Sequence, residues 1–252
     1  MLFGYSAMPQ YCTAAKATGF DYVELPGKVI AAITNKEFAA FEKDLDIPAL
    51  AMNAFCPAEI VITGPGYNRT ANIEYAKHLS ARASALSVKV IGIGSPMSRN
   101  LPVGFDPLLA KRQISEFLLD TAEIFGKYGI QTCFEALADC YCNTVNTLQE
   151  ALELVRNLNN TNIHVVLDFY NMEHMGEADL PIPKASIIHA HISDDDGNPR
   201  LRSYLHPNKQ ELHQARIRNL LQTGYTGGLT LEVDVPYDPV RAAKSLAIMR
   251  GV

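Results

Sequence analysis

Short, almost continuously apolar runs recur along the whole chain, each bounded by turn-forming residues. Strands that are buried on both faces of a parallel sheet have such uninterrupted runs, whereas strands with one wet face alternate apolar and polar positions. We therefore predict eight buried strands. They are LFGYS from Leu2, DYVEL from Asp21, ALAMN from Ala49, VKVIGIG from Val88, QTCFE from Gln131, HVVLD from His164, IIHAH from Ile187 and GLTLE from Gly228.

Segments with helical spacing of apolar residues separate most of these runs, most clearly Ile114 to Tyr128 and Leu148 to Leu158. Asn35 and Thr147 are candidate N-caps, and the glycines after Thr18, Tyr128 and Thr223 are candidate helix ends. Eight strand–helix alternations predict an α/β fold with a parallel sheet closed into a (β/α)8 TIM barrel. The chain has 252 residues, the size of one such barrel of about 250 residues, so we predict a single domain over residues 1–252.

Composition and charge narrow the classes of protein that fit. No apolar run approaches the roughly 20 residues of a membrane span, and the opening MLFGYSAMPQ lacks a basic segment leading into a longer apolar one. With an odd number of cysteines, five, this predicts a cytoplasmic protein. The net charge is −5 and Lys and Arg are scattered singly, which disfavours nucleic acid as a ligand.

Two motifs are weak. Cys133, Cys140 and Cys142 lack the paired spacing of a thiolate zinc site. Cys133 alternates with Glu135, so both are expected to point into the barrel, where packing is the favoured role for the cysteine. The segment GIGS from Gly92 lacks the third glycine and the acidic residue of a dinucleotide-binding fingerprint.

Four candidate metal ligands stand at the ends of consecutive strands five to eight: Glu135, Asp168, His191 and Glu232. Active sites of TIM barrels lie at the C-terminal ends of the strands, so these side chains are expected to meet there. Three crowded carboxylates repel one another unless a cation neutralises them. We therefore predict a divalent metal site, with Mn²⁺ preferred and Mg²⁺, Co²⁺ or Zn²⁺ also compatible. Four separate structural contacts are the less favoured alternative.

The motifs in this order are similar to those of the xylose isomerase-like barrel superfamily, in particular its sugar epimerases and isomerases, such as D-tagatose 3-epimerase and hydroxypyruvate isomerase. The resemblance covers nearly the whole chain. It is carried by GFDYVEL from Gly19, IGIGSPMSRNLPVGF from Ile91, FEAL from Phe134, CNTVNT from Cys142, LDFYNM from Leu167, HAHISD from His189 and GYTGGLTLEV from Gly224.

The resemblance implies that the metal is bound by the four residues above and that Glu135 and Glu232 are also the acid and base. A metal bound to a carbonyl and a neighbouring hydroxyl acidifies the C–H between them and stabilises the resulting enediolate. Returning the proton to the other face gives epimerisation, and returning it to the adjacent carbon gives aldose–ketose isomerisation.

Two departures from the family pattern bear on the substrate. The usual D-x-x-H motif reads Asp168 to Asn171, and an asparagine cannot carry a proton. The histidine of that motif is therefore absent unless His174 replaces it. The segment SYLHPN from Ser203 also replaces a glycine-rich stretch of the family.

Other polar residues near the strand ends are candidate substrate contacts. Arg200 and Arg202 lie in the loop after strand seven, where relatives have an arginine, and Arg99 follows strand four at the same rim. Such arginines can bind a phosphate or carboxylate, or stay solvated. Glu24 ends strand two, where a loop-ordering contact is slightly favoured over substrate binding, and His189 is expected one layer below His191. The candidate set is Asn171, Arg200, Arg202, Arg99, Glu24 and His189.

We predict a metal-dependent isomerase or epimerase of a sugar or sugar phosphate, with a small-molecule carbohydrate as partner, no nucleic acid or membrane, and a homo-oligomer left open. A dehydratase of the same barrel family, such as an inosose or dehydroshikimate dehydratase, and a non-catalytic sugar-binding barrel are the alternatives. A phosphodiesterase like the AP endonucleases needs further histidine ligands, but strands three and four end in Asn53-Ala54 and Gly94-Ser95.

Overall fold

Eight parallel strands close into one barrel, which confirms the predicted (β/α)8 fold. The structure is a computed structural model that describes residues 1–178, 180–183 and 186–252. The barrel strands are β1 Leu2–Ser6, β2 Tyr22–Pro26, β3 Ala49–Asn53, β4 Val90–Ile93, β5 Gln131–Glu135, β6 Ile163–Asp168, β7 Ile187–Ile192 and β10 Gly228–Leu231; β8 Asp194–Asp195 and β9 Arg202–Ser203 form a separate antiparallel ribbon. Pairing of β1 with β10, from Leu2 opposite Gly228, closes the barrel.

Helices follow the strands around the outside of the barrel. They are α1 Cys12–Thr18, α2 Gly27–Ala32, α3 Asn35–Asp44, α4 Arg69–Ala85, α5 Pro107–Gly126, α6 Leu148–Leu158, α7 Phe169–His174, α8 Gln210–Gln222 and α9 Pro239–Arg250. In the described part of the chain, none of these helices is both long enough and apolar enough to cross a membrane.

Helix boundaries follow local capping chemistry. Thr147 caps α6 through a reciprocal capping box with Glu150, as predicted. The cap of α3 is Thr34, one residue before the predicted Asn35, because the Thr34 hydroxyl accepts a hydrogen bond from the Glu37 amide. Glycines at positions 19, 129 and 224 have φ of 101°, 69° and 84° after α1, α5 and α8, so the predicted helix ends are confirmed.

The barrel interior is packed by side chains, and its N-terminal end is filled by the fully buried Tyr22. A Cβ atom at Gly4 or Gly228 would overlap the Tyr22 ring or its hydroxyl, so both positions need glycine. The Tyr22 hydroxyl lies 2.8 Å from Thr230 Oγ1. The Tyr22 hydroxyl is thus in contact with a polar group of β10 inside the barrel, on the side toward the C-terminal ends of the strands.

Among the strand pairings of the described residues, the β8–β9 ribbon is one that the sequence pattern does not predict. Asp195 pairs with Arg202 and Asp194 with Ser203, which folds the segment after β7 back on itself. The amide of Arg202 also donates to Asp234 Oδ2 at 3.0 Å, which ties the ribbon to the segment after β10. This arrangement directs Arg202 to the C-terminal ends of the barrel strands.

Candidate metal centre at the barrel mouth

Four side chains converge at the C-terminal mouth of the barrel: Glu135, Asp168, His191 and Glu232, called here the mouth cluster. Glu135 and Asp168 are the last residues of β5 and β6, His191 is the next-to-last of β7, and Glu232 directly follows β10. Asp168 lies opposite His191 in the sheet register, and His191 lies opposite Thr230. Each side chain offers one ligand atom, and these atoms all lie within 4.8 Å of one another. The four residues predicted from the strand ends are therefore together.

The imidazole of His191 stands between the two glutamates. Its Nδ1 lies 3.3 Å from Glu135 Oε1 and 3.3 Å from Glu232 Oε2. Gly94, after β4, leaves the space that the Glu135 carboxylate fills, since a Cβ there would lie 2.5 Å from Oε2. Any other residue at position 94 would displace that carboxylate.

The donor set of the mouth cluster fits a divalent cation. Glu232 Oε2 is buried, and Arg202 Nη1 at 3.0 Å and His191 Nδ1 at 3.3 Å lie beside it without completing a well-aligned hydrogen bond. Three carboxylates and one imidazole provide hard oxygen ligands and one nitrogen, a combination that Mn²⁺, Co²⁺ and Zn²⁺ accept. A bound ion would add positive charge among the three carboxylates, beside the Arg202 guanidinium and the His191 ring that already lie close to Glu232.

The two glutamates have oppositely shifted pKa values. Burial, together with the charges of Glu232 and Asp168, raises the pKa of Glu135 to about 7, with His191 acting in the other direction. Burial also acts to raise the pKa of Glu232, but the charges of Arg202 and His191 outweigh it and lower that pKa to about 2. The negative charge of Glu135 is thus disfavoured in its buried position, whereas that of Glu232 is stabilised by its cationic neighbours.

Arg202 reaches into the mouth cluster rather than staying in its loop. Its Nη2 donates to Asp168 Oδ2 at 2.6 Å, and its Nη1 lies 3.0 Å from Glu232 Oε2. The guanidinium lies over the rings of Tyr141 and Tyr170, with its carbon 5.2 and 5.6 Å from their centres. Arg202 is thus the cation of this site, and the aromatic rings cover it.

Asn171, in place of the family's usual histidine, is buried and fully engaged with the protein. Its Nδ2 donates to Asp168 Oδ2 at 2.9 Å and to the Ala136 carbonyl at 3.0 Å. Its Oδ1 accepts from the Ala138 amide at 3.2 Å. The side chain therefore holds Asp168 against the segment after β5. His174 does not replace the missing histidine, because its ring packs on Tyr170 and faces Asp195.

Glu24 and His189 lie below the mouth and not at its surface. Both are fully buried or nearly so, and His189 Nε2 lies 3.0 Å from Glu24 Oε2. His191 Nε2 lies 3.0 Å from the same Glu24 oxygen. The prediction that Glu24 ends strand two is wrong, since β2 continues through Leu25 and Pro26. The Glu24 carboxylate lies inside the barrel, against His189 and His191. His189 lies one layer below His191, as expected.

The two other arginines occupy very different places. The prediction that Arg99 lies at the rim is wrong: it is 0% exposed, donates from Nη2 to the Glu135 carbonyl at 2.8 Å and lies over the Phe134 ring. The segment after β4 turns inward there through a short 3-10 turn at Pro96–Ser98. Arg200 is exposed, and its amide donates to Asn198 Oδ1 within the loop.

Sequence reasoning missed Asn53 as a functional candidate. The Asn53 Nδ2 donates to Glu232 Oε1 at 2.9 Å and to Ser6 Oγ at 3.0 Å, while its buried Oδ1 has no partner. Asn53 is the last residue of β3, the same strand position that identified the mouth cluster.

The five cysteines are all free. Within the described ranges no cysteine joins a group of ligand-type side chains.

Comparisons with known proteins agree with this architecture. A family model described as xylose isomerase-like TIM barrel matches residues 12–251. Over 134 residues the chain is 27% identical to an inosose isomerase of Halalkalibacterium halodurans, a match that covers 50% of this chain and 47% of that protein. The chain therefore spans about half the length of that curated relative.

Solved structures match over the full length. A 3-keto-D-glucoside 4-epimerase from E. coli superposes with a TM-score of 0.77 at 18% identity and covers 100% of both chains. An L-ribulose 3-epimerase superposes with a TM-score of 0.75 at 16% identity, covering 99% of this chain and 93% of that one. At such identities the likeness concerns the fold, while the family match extends over nearly all residues. The chain belongs to the xylose isomerase-like TIM barrel family.

Proposed function

We propose that the protein is a divalent-metal-dependent isomerase or epimerase of a polyhydroxylated ketone or aldehyde sugar. The observation that carries this proposal is the convergence of Glu135, Asp168, His191 and Glu232 at the barrel mouth, with one ligand atom of each within 4.8 Å of the others. Because β6 and β7 separate β5 from β10 in the barrel, Glu135 and Glu232 approach the site from opposite sides. Two carboxylates in this arrangement suit removal of a proton from one face of a substrate and its return from the other.

The four residues of the mouth cluster would hold the ion, which when bound supplies a Lewis acid for the carbonyl and hydroxyl oxygens of the sugar. Glu135 and Glu232 then act at the carbon beside the carbonyl, one as the base and the other as the acid. Return of the proton to the same carbon inverts it, and return to the neighbouring carbon moves the carbonyl. The same two glutamates serve both outcomes.

Neighbouring residues orient these groups. Asn53 donates to Glu232 Oε1 and so fixes the rotation of the carboxylate, which leaves Oε2 directed at the cluster. Arg202 bonds Asp168 and lies against Glu232, and Tyr141 and Tyr170 cover the guanidinium. Excluding water in this way strengthens every electrostatic interaction in the site.

The charges at the mouth favour an uncharged sugar over a sugar phosphate. The guanidinium of Arg202 is already bound to Asp168 and Glu232, and Arg99 is buried inside the wall. Arg200 is exposed and would be the arginine left for an anionic group. The names of the related proteins, a keto-glucoside epimerase, a ribulose epimerase and an inosose isomerase, refer to polyhydroxylated ketones and support the same class.

The deciding experiment incubates the protein with Mn²⁺ in D2O and a panel of ketoses, cyclic polyhydroxy ketones and ketose phosphates, followed by NMR. We expect deuterium on the carbon next to the carbonyl, together with an epimer or an isomer of the same mass apart from the label. The double variant Glu135→Gln/Glu232→Gln serves as the inactive control. Loss of one water from the product would instead identify a dehydratase. Retention of Mn²⁺ with neither exchange nor product for any substrate would favour a sugar-binding barrel.

A further inference from the structure

A carboxylate buried inside the barrel lies directly beneath the mouth cluster. Glu24 is 0% exposed, and its Oε2 lies 3.0 Å from Nε2 of both His189 and His191. The site proposed above uses Glu135 and Glu232 on the other side of the His191 ring. Glu24 therefore has a contact with the proposed metal ligand but no route to a substrate.

The position of Glu24 determines which nitrogen of His191 is free. An ionised carboxylate only accepts hydrogen bonds, so the His191 Nε2 that faces it must carry a proton. Nδ1 faces Glu135 and Glu232, and when a cation binds among these carboxylates the neutral ring, protonated at Nε2, turns the lone pair of Nδ1 toward it. We propose that Glu24 is a positioning residue that fixes this tautomer and the ring orientation of His191, and thereby prepares Nδ1 as the metal ligand.

Further contacts from below hold Glu24 in this position. His189 Nε2 contacts the Glu24 carboxylate and also lies 3.2 Å from Thr230 Oγ1, which in turn lies 2.8 Å from the Tyr22 hydroxyl. The polar contacts thus run from Tyr22 at the N-terminal end of the barrel to His191 at its mouth. The separations of 2.8 to 3.2 Å are hydrogen-bond lengths, so these groups pair directly with one another. The Glu24, His189 and His191 group is therefore read as a hydrogen-bonded support and not as a second ion site.

The inference rests on the proposed metal site and is tested by two measurements that do not need a substrate. Isothermal titration with Mn²⁺ compares the wild type with Glu24→Gln, which keeps the volume of the side chain and removes its charge. We expect affinity to fall about 10- to 100-fold, as for loss of a carboxylate that supports a metal-bound histidine. In the Mg²⁺-loaded wild type, long-range ¹H–¹⁵N spectra should show His191 protonated at Nε2 only, and Glu24→Gln should populate the Nδ1-protonated form.

Asp194→Asn is the matched control, because it also neutralises a buried carboxylate that accepts a hydrogen bond from a histidine, His213 Nε2 at 2.8 Å, but lies outside the mouth cluster. Its Mn²⁺ affinity should stay within about twofold of wild type, as for a site that acts independently. If Glu24→Gln does not fold, Glu24→Asp keeps the charge but shortens its reach, and about tenfold weaker binding is expected. Wild-type affinity and an unchanged tautomer in the folded Glu24 variant would overturn the positioning role. Failure of the wild type to bind Mn²⁺ would instead overturn the metal site, and the inference with it.

Discussion

Two buried clusters of carboxylates and histidines differ in which groups surround the carboxylates. In the mouth cluster three carboxylates surround one imidazole, and Glu232 Oε2 completes no well-aligned hydrogen bond. In the second cluster, called here the ribbon cluster, a single carboxylate is surrounded by donors. Asp194 Oδ1 accepts from Lys209 Nζ at 3.0 Å, and Oδ2 accepts from His213 Nε2 at 2.8 Å and the His206 amide at 2.7 Å.

From this difference we expect Asp194 to contribute to folding stability and the mouth cluster to serve the proposed chemistry. Asp194 gains donors on both oxygens, so removing its carboxylate would leave buried partners without an acceptor. In the mouth cluster Arg202 compensates Asp168 and Glu232, but the pKa of the buried Glu135 is raised, so the negative charge of that carboxylate is disfavoured without a further cation. Neutralising a carboxylate is therefore expected to lower the free energy of unfolding at Asp194 but not at Glu135.

The largest expected effect is on turnover. Glu135→Gln and Glu232→Gln should each lower kcat by on the order of 10²- to 10⁴-fold at saturating Mn²⁺, the usual loss for a general acid or base. One of these variants should still exchange substrate hydrogen for deuterium, because the remaining carboxylate can complete half of the reaction. Asp194→Asn is the control in the ribbon cluster. A loss of kcat in Asp194→Asn as large as in the glutamate variants would mean that the two clusters are not functionally distinct.

The next effect is on folding stability without metal. Asp194→Ala should lower the free energy of unfolding by about 3–5 kcal/mol, because it leaves His213 and Lys209 without their buried partner. Glu135→Gln should leave that free energy unchanged or raise it, because it removes one of three neighbouring charges. Urea denaturation in the presence of a chelator measures both. Equal destabilisation by the two variants would remove the contrast drawn here.

The pH dependence of stability sharpens the same comparison. Burial acts to raise the pKa of Asp194, but the hydrogen bond and charge of His213, with His206 and Lys209, outweigh it and lower the pKa to about 2. The stabilisation is fully present above the unfolded-state pKa of about 3.9 and is lost as pH falls toward the folded-state value, since the unfolded carboxylate binds its proton first.

The difference in unfolding free energy between wild type and Asp194→Asn should therefore be constant above about pH 5 and shrink below about pH 4. The decrease should reach about 1–2 kcal/mol after allowance for solvent screening. Urea titrations from pH 6 to pH 3 provide the measurement. A difference that grew as the pH fell would have the wrong sign for a carboxylate with a lowered pKa.

The smallest expected effect concerns Arg200 in the exposed loop. Arg200→Ala should change kcat/KM for an uncharged ketose by less than about twofold, as for an exposed residue with no neighbour in the site. Kinetics with a matched ketose and ketose phosphate test this. A selective rise in KM for the phosphate, equivalent to about 1.5–3 kcal/mol of lost charge-assisted hydrogen bonds, would show that the substrate is anionic.

The barrel and the mouth cluster could be predicted because each depends on local signals repeated in register. Continuous apolar runs identify buried parallel strands, and the last residues of adjacent strands meet at one edge, which brings Glu135, Asp168, His191 and Glu232 together. The Thr147 cap and the glycines after α1, α5 and α8 are likewise local. These features need no knowledge of distant contacts.

Contacts made by irregular segments could not be predicted in the same way. Arg202 enters the mouth because the β8–β9 ribbon folds the chain back, and Arg99 turns into the wall beside Phe134. Both arginines follow loops whose course depends on tertiary packing. Glu24 carried a usable signal, since it shares a strand face with Tyr22 two positions earlier, as His191 does with His189. That Glu24 on β2 contacts His189 and His191 on β7 depends on how the sheet closes into a barrel.

The most direct test of the metal centre is the number of Mn²⁺ ions retained per chain after reconstitution and dialysis, measured by elemental analysis. The wild type and Asp194→Asn should each retain about one ion, whereas Glu135→Gln, Asp168→Asn, His191→Ala and Glu232→Gln should each bind more weakly, because each loses a ligand. The variant that combines all four changes should retain none. Stoichiometric Mn²⁺ in that combined variant would place the ion elsewhere and contradict the assignment of the mouth cluster.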